Sequence, residues 1–246
     1  MKKVLFSMVL SVAVGVSVRA HSLDYPPTVA WDTPSANSAG SMPLGNGDVG
    51  LNAWMEENGD LIFYISKTDA WSGIGRLLKL GRIRVSFTPA LTTKPFHQVL
   101  DAGQGQIAIT AGAPDDTSTV RVWVDAHYPA IRVEAAHATP RAMQVRLECW
   151  RNAPRELSKV ERFSAYGLAE GPDPVVEEPD TILTDEANGV VWYHRNEKSI
   201  WQDTMRWQDI ADWISKGEDP LLHRTFGGRI QGEDFKKAND NELYSA

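Results

Sequence analysis

The sequence predicts an all-β protein, an antiparallel β-sandwich with one short C-terminal helix and long loops. Three observations predict it. Short runs alternating apolar and polar residues recur from Val49 to His194 at the spacing of strand plus turn. Gly, Pro, Asn and Asp punctuate those runs, and no helical period intervenes before Asn196. Asn58-Gly59 stands between two apolar runs, the strongest short-range signal for a two-residue hairpin turn. Strands in this rhythm, without helices between them, argue against a parallel α/β sheet.

The chain begins with a basic Met1-Lys2-Lys3, an apolar run from Val4 to Val18, and Val18-Arg19-Ala20. That is the pattern of a secretory signal peptide over residues 1–20, with cleavage after Ala20 and His21 as the mature N-terminus. The expected location is therefore the periplasm or the outside of the cell. No second apolar stretch of membrane length follows, so no membrane span is expected after cleavage. The formal net charge is −7, and loss of Lys2, Lys3 and Arg19 makes it more negative. An acidic surface lacks the basic footprint needed by a nucleic-acid or anionic-membrane partner.

Next comes Met42-Pro43-Leu44-Gly45-Asn46-Gly47-Asp48-Val49-Gly50. Its glycines at 45, 47 and 50 mark a sharp turn or a close approach. A phosphate-cradling loop would need a preceding strand and a following helix, whereas an extended run follows here. Gly45, Asn46, Gly47, Asp48 and Gly50 are thus read as a structural loop. Gly45 and Gly47 are expected to hold strained backbone angles, and the loop is expected to pack against the Asn58-Gly59 hairpin. That hairpin's second strand, Leu61 to Ser66, leads into Lys67-Thr68-Asp69-Ala70-Trp71.

Further strands are predicted over Arg82–Phe87, Gln106–Ala111, Thr119–Asp125, Ile131–Ala135 and Met143–Trp150. The proline-rich stretch from Arg151 to Asp180 breaks the rhythm and reads as a long excursion over the sandwich. Thr181–Thr184 and Val190–His194 resume as strands around an Asn188-Gly189 turn. Trp207, Ile210, Ala211 and Ile214 fall on one helical face, predicting a helix from about Ile200 to Lys216. Leu221–Ile230 follows as a strand or hairpin. The sandwich domain is thus drawn over residues 21–232, and the polar residues 233–246 are expected to fray, as at a truncation point.

Nine tryptophans are the outstanding compositional feature. Trp54, Trp123, Trp150, Trp192 and Trp207 fall in strands or on the helix face, where core packing is the default. Trp31, Trp71 and Trp201 stand nearer turns, where an indole can stack on the apolar face of a sugar. Lys67, Asp69 and Trp71 together form the candidate substrate-binding group. Asp48, Glu56, Glu57, Asp60 and Asp69 are the carboxylates a glycosidase would draw on, but spacing places no two of them across a cleft. No catalytic residue is therefore assigned. The single cysteine, Cys149, falls on the inward side of its strand and reads as a packed thiol. The six histidines form no triad pattern, no Cys/His spacing suits a metal, and no cofactor is expected.

Trp31-Asp32-Thr33-Pro34-Ser35, the Pro43–Gly50 loop and Ile65-Ser66-Lys67-Thr68-Asp69-Ala70-Trp71 resemble the start of glycoside hydrolase family 95-like proteins. They are closer still to a group of secreted bacterial proteins known as domain of unknown function 5703. The resemblance covers mainly residues 31–87. It implies an N-terminal, supersandwich-like β-domain of a multidomain glycosidase whose known members include α-L-fucosidases. In that family a separate (α/α)6 barrel carries an inverting acid and base, and no segment here corresponds to it. Two functions remain open. One is a non-catalytic N-terminal domain whose glycan partner is met together with a missing catalytic domain. The other is a stand-alone secreted carbohydrate-binding or interaction module.

Overall fold

The computed structural model describes residues 28–165, 174–187 and 189–245. The signal segment, the expected mature N-terminus and Asn188 of the Asn188-Gly189 turn lie outside the described residues.

Seventeen strands are present among the described residues. The first nine are β1 (Thr28–Trp31), β2 (Met42–Gly45), β3 (Val49–Met55), β4 (Leu61–Trp71), β5 (Leu77–Thr88), β6 (Phe96–Asp101), β7 (Gln106–Ala111), β8 (Ser118–Val124) and β9 (Ile131–His137). Then follow β10 (Ala142–Glu148), β11 (Arg155–Glu156), β12 (Val176–Glu177), β13 (Thr181–Ile182), β14 (Val190–Arg195), β15 (Thr225–Ile230), β16 (Phe235–Asn239) and β17 (Glu242–Ser245). A five-stranded sheet in the order β1-β6-β7-β8-β9 faces a seven-stranded sheet in the order β16-β17-β10-β5-β4-β3-β2. Every pairing in both is antiparallel, and the molecule is the all-β sandwich that the alternation predicts.

The alternation also fixes which side chains meet between the sheets. Val49, Leu51, Ala53 and Met55 of β3 point inward with Leu61 and Phe63 of β4 and Ile83, Val85 and Phe87 of β5. Ile107, Ile109, Val120 and Val122 close the core from the other sheet. Each large side chain so buried contributes about 1.5–3 kcal/mol relative to exposure.

Strands β4 and β5 outrun the sandwich. Their register shifts between Ile65 and Ser66 and again between Ser66 and Trp71, where Trp71 pairs with Leu77, so the hairpin continues as an arm. Gly81 lies at the bend, where a Cβ would come 2.9 Å from Leu147 Cδ1. Trp192 of β14 packs there and donates its indole N–H to Leu80 O at 2.6 Å. A three-stranded sheet, β13-β14-β15, is thereby seated against the arm. Ala70, Leu78, Leu80 and Phe226 form a small second core.

The structure corrects several expectations. The β3–β4 connection spans residues 56–60, closed by Glu56 N–H to Asp60 O at 2.9 Å, so Asn58-Gly59 is part of a longer loop. That loop lies at the opposite end of β3 from the Gly45–Gly50 turn, and the two do not pack together. The predicted long helix is only α1 (Trp201–Trp207), because Asp209 adopts a left-handed φ of 57°, and a 3₁₀ turn at Ala211–Trp213 follows. Trp207 is consequently 50% exposed rather than packed, and Trp150, just past β10, is likewise half-exposed. Residues 235–245 form a hairpin whose β17 pairs with β10, and Leu243 enters the main core. Leu243, the partly buried Phe235, the Arg146–Glu242 pair and the β10 pairing together hold a stretch that composition alone reads as loose.

Within the excursion, β11 pairs with β12, and Leu157, Ala165 and Val175 make a third small core against Ile74 and Ile200.

Candidate functional site

The glycine loop is the tight turn between β2 and β3, with Gly45 opposite Gly50. Asn46 organises it. Its Oδ1 accepts the N–H groups of Asp48 and Val49 at 3.0 and 2.9 Å, and its Nδ2 donates to Asp125 O and Tyr128 O beyond β8. The turn is thus stitched to the opposite sheet. Gly47 has φ +93° with open space around its missing Cβ. Gly45 does not take a positive φ; a side chain there would crowd Val49 O at 3.1 Å. The expectation of strained angles therefore holds for Gly47, while Gly45 is required by close approach.

Pairing of Val49 with Lys67 brings the loop to the start of the arm. Lys67 Nζ donates to Asp48 Oδ1 at 2.7 Å and lies 3.0 Å from Asp69 Oδ1. The Lys67 hydrogen bond holds the Asp48 carboxyl below its ordinary range, and Asp48 in turn raises the Lys67 ammonium. Thr68 Oγ1 also donates to Asp48 Oδ1, while Thr68 O accepts the indole N–H of Trp71 at 3.1 Å. Lys67 and Asp69 thus join Asp48 in a charge cluster, and Trp71 is tied to it through Thr68.

Trp71 is 40% exposed at the end of β4. Its carbonyl accepts from Asn196 Nδ2 at 3.0 Å, and Asp69 O accepts from Arg224 at 3.0 Å. The indole lines an open, mainly apolar groove of about 500 Å³ with Phe163, Ile200, Trp201, Met205 and Leu221. The groove exists because the arm's tip supports α1: Ile200 N–H donates to Gly73 O at 2.9 Å, and a Cβ at Gly73 would collide with Lys198 O. Arg76, also at the tip, reaches Glu177 at 2.7 Å and Ser164 at 2.8 Å, drawing in the excursion.

A second cavity, of about 310 Å³, also touches Ile200 and is walled by Ser72, Ile74, Val176, His194 and Asn196. Behind His194 is a buried polar cluster that sequence spacing did not reveal. Arg151 grips Asp180 with two bonds of 2.9 and 2.7 Å, His194 Nδ1 lies 3.0 Å from Asp180 Oδ1, and the Cys149 thiol donates to Asp180 Oδ2 at 3.2 Å. Burial, reinforced by the Asp180 charge, pushes the Cys149 thiol up to about 11, which leaves it inert as a nucleophile.

A family model for the domain of unknown function DUF5703 matches residues 30–246, nearly all of the sandwich and both depressions. The chain belongs to the DUF5703 family. No curated protein matches it.

Two further candidate carboxylates of this DUF5703 domain, Glu56 and Asp60, share one cation. Arg84 Nη1 donates to Glu56 at 3.0 Å and Asp60 at 2.7 Å, and its Nε donates to Glu148 at 2.7 Å. Burial is the largest single influence on Glu148 and would raise it, but the hydrogen bonds and charges of Arg84 and Arg82 together outweigh it and the net shift is downward. Among the described residues no group of three His, Cys, Asp or Glu side chains converges to hold a metal, and no helix is long and apolar enough to cross a membrane.

Proposed function

We propose that this DUF5703 domain is an exported, non-catalytic β-sandwich module that presents a sugar-binding face within a glycoside hydrolase family 95-like architecture. The observation that carries the reading is Trp71: a large, half-exposed indole fixed at a groove wall beside Trp201 and Phe163. An amphipathic ring in such a position buries apolar area while its polar edge stays satisfied, which suits the apolar face of a pyranose. Lys67 and Asp69 stand on the same strand and pair with each other at 3.0 Å, outside the lining of the groove. The resemblance of residues 31–87 to family 95-like proteins supports the wider architecture and its α-L-fucosidase-like chemistry.

The carboxylates of this domain support a non-catalytic role. Inverting hydrolysis needs one acid with a raised pKa and one base across the sugar from it. Every described carboxylate with a resolved shift, namely Asp48, Asp125, Glu148 and Glu161, is moved down. Of the five candidate acids, Asp48, Glu56, Asp60 and Asp69 sit on lysine or arginine.

The test uses the full chain against neutral glycans and aryl glycosides, including α-L-fucosides. The expected result is a tryptophan fluorescence change on binding, lost in Trp71→Ala, with no turnover above a blank. Turnover abolished by replacing an acidic residue of this domain would overturn the reading, as would glycan binding indifferent to Trp71→Ala. Export is checked by N-terminal sequencing, with His21 the expected first residue.

A further inference from the structure

Away from both depressions, the outer face of the seven-stranded sheet carries a platform of aromatic rings and cations. Leu61 and Phe63 of β4, Ile83 and Val85 of β5 and Leu147 of β10 turn inward. Tyr64, Arg82 and Glu148, which stand opposite one another across those three strands, therefore turn outward. Tyr64 is the centre of the platform. The buried Trp54 ring backs it with centroids 5.5 Å apart, and Trp150 meets it at 6.0 Å and 83°. Lys79 Nζ stands 4.0 Å from the same Tyr64 centroid. Indole and ammonium are thus neighbours on one ring, and both reach solvent: Trp150 is 49% exposed, and Lys79 is exposed.

The cations of this face are not alike. Arg82 and Arg84 share Glu148, and Arg146 pairs with Glu242 at 2.8 Å. Lys79 has no carboxylate partner among the described residues. The Tyr64 ring fixes where its ammonium stands and leaves N–H donors over for an anionic acceptor. Ser66, opposite Lys79 in the β4–β5 register, adds an exposed neutral hydroxyl beside it.

A ligand that fits this platform offers a flat ring with an apolar face for Trp150 and one anionic group for Lys79. A neutral sugar brings the ring without the charge, and an acidic peptide the charge without the ring. A densely charged polyanion would meet one unpaired cation on a chain of formal net charge −7, which repels it. We infer that the Trp150–Tyr64–Lys79 platform binds an acidic saccharide of the hexuronate class, its pyranose stacked on the Trp150 indole and its carboxylate on the Lys79 ammonium. This goes beyond the Trp71 groove, whose described lining residues carry no charge, and does not rest on it.

The experiment titrates the full chain with trigalacturonate, with its neutral methyl ester and with hexaglutamate, followed by calorimetry and by the indole N–H signals of the tryptophans. The expected result is saturable binding of trigalacturonate that shifts the Trp150 indole and weakens at high salt. It should exceed binding of the ester about tenfold or more. Lys79→Gln should erase that preference, and Lys79→Arg should keep most of it. Trp150→Ala should weaken binding of acid and ester alike, while Trp71→Ala should leave it in place. Both Lys79 and Trp150 are surface residues, and circular dichroism checks that each variant is folded. No saturable binding of trigalacturonate at millimolar concentration would overturn the inference. So would equal binding of acid and ester, hexaglutamate bound as tightly as the sugar acid, or binding indifferent to Trp150→Ala. Binding lost in Trp71→Ala and kept in Trp150→Ala would assign the sugar to the groove, overturning this inference and leaving the glycan-face reading standing.

Discussion

Replacing Asp180 with alanine removes the acceptor on which three buried donors converge: the Arg151 guanidinium, the His194 ring and the Cys149 thiol. The Asp180 side chain is 1% exposed and that of Arg151 is 7% exposed, so water cannot take over. Breaking a buried pair by deleting one partner strands a charge, at a cost of about 3–5 kcal/mol. For a domain of this size that corresponds to a fall in Tm of roughly 6–20 °C. Urea unfolding followed by tryptophan fluorescence reads it directly, since buried Trp192 lies two residues from His194 on β14. The double variant Arg151→Met with Asp180→Leu should recover much of the loss, because removing both charges also removes their desolvation penalty. Recovery should be partial, since His194 still lacks its Nδ1 partner. A cost for Asp180→Ala below about 1 kcal/mol, the range of an exposed ion pair, would refute the reasoning.

Gly47→Ala should destabilise by about 1–2 kcal/mol from its φ of +93° alone, while Gly47→Asn should cost clearly less; equal thermal shifts for the two would contradict the backbone argument. Cys149, pushed up to about 11, should carry about a hundredfold less thiolate at pH 8 than a thiol at its ordinary 9.0 and should resist iodoacetamide until urea unfolds the domain. Arg155's hydrogen bonds, with the Ser158 N–H, hold Glu161 at about 2 against an ordinary 4.5. The stabilisation from this pair is therefore complete above about pH 4.5 and is lost as pH falls through about 2. A carboxyl NMR titration should show that midpoint, returning toward 4.5 in Arg155→Ala. Asn46→Ala, which severs both the turn and its tie to Asp125, should lower stability by about 1–3 kcal/mol as judged by thermal melts.

Where a strand has one face in the core and one in solvent, the sequence announces it. Ile107, Ile109 and Ala111 alternate with exposed or half-exposed neighbours, and β7 was legible to the residue. Strand β6 was not, because a buried Gln98 occupies an inward position and breaks the apolar period. Nor was β1, whose four residues are all exposed and which is defined only by its pairing with β6. Helix α1 was overextended because periodicity cannot register the left-handed turn at Asp209. The same division applies to the site. Lys67, Asp69 and Trp71 could be grouped because they lie on one strand, but Asp48 was read only as part of the glycine loop, and its place beside Lys67 comes from the β3–β4 register. Asp180 and Arg151 are separated by 29 residues of excursion, and no local pattern links them. Asn196 gave no signal at all: its Nδ2 ties Trp71 O to Leu221 O, a property of packing rather than of composition.

The position of β17 between β16 and β10 has a consequence for how the protein is made. Met143 N–H donates to Ser245 Oγ, 102 residues further along. At translation rates of about 5–20 residues per second, roughly 5–20 s separate the emergence of β10 from the arrival of its partner. Through that interval β10 presents an unpaired edge, and the strands that could pair with it include β17 of a neighbouring chain already further along the same message. The species most exposed to strand exchange is therefore the chain whose β17 has not yet reached β10.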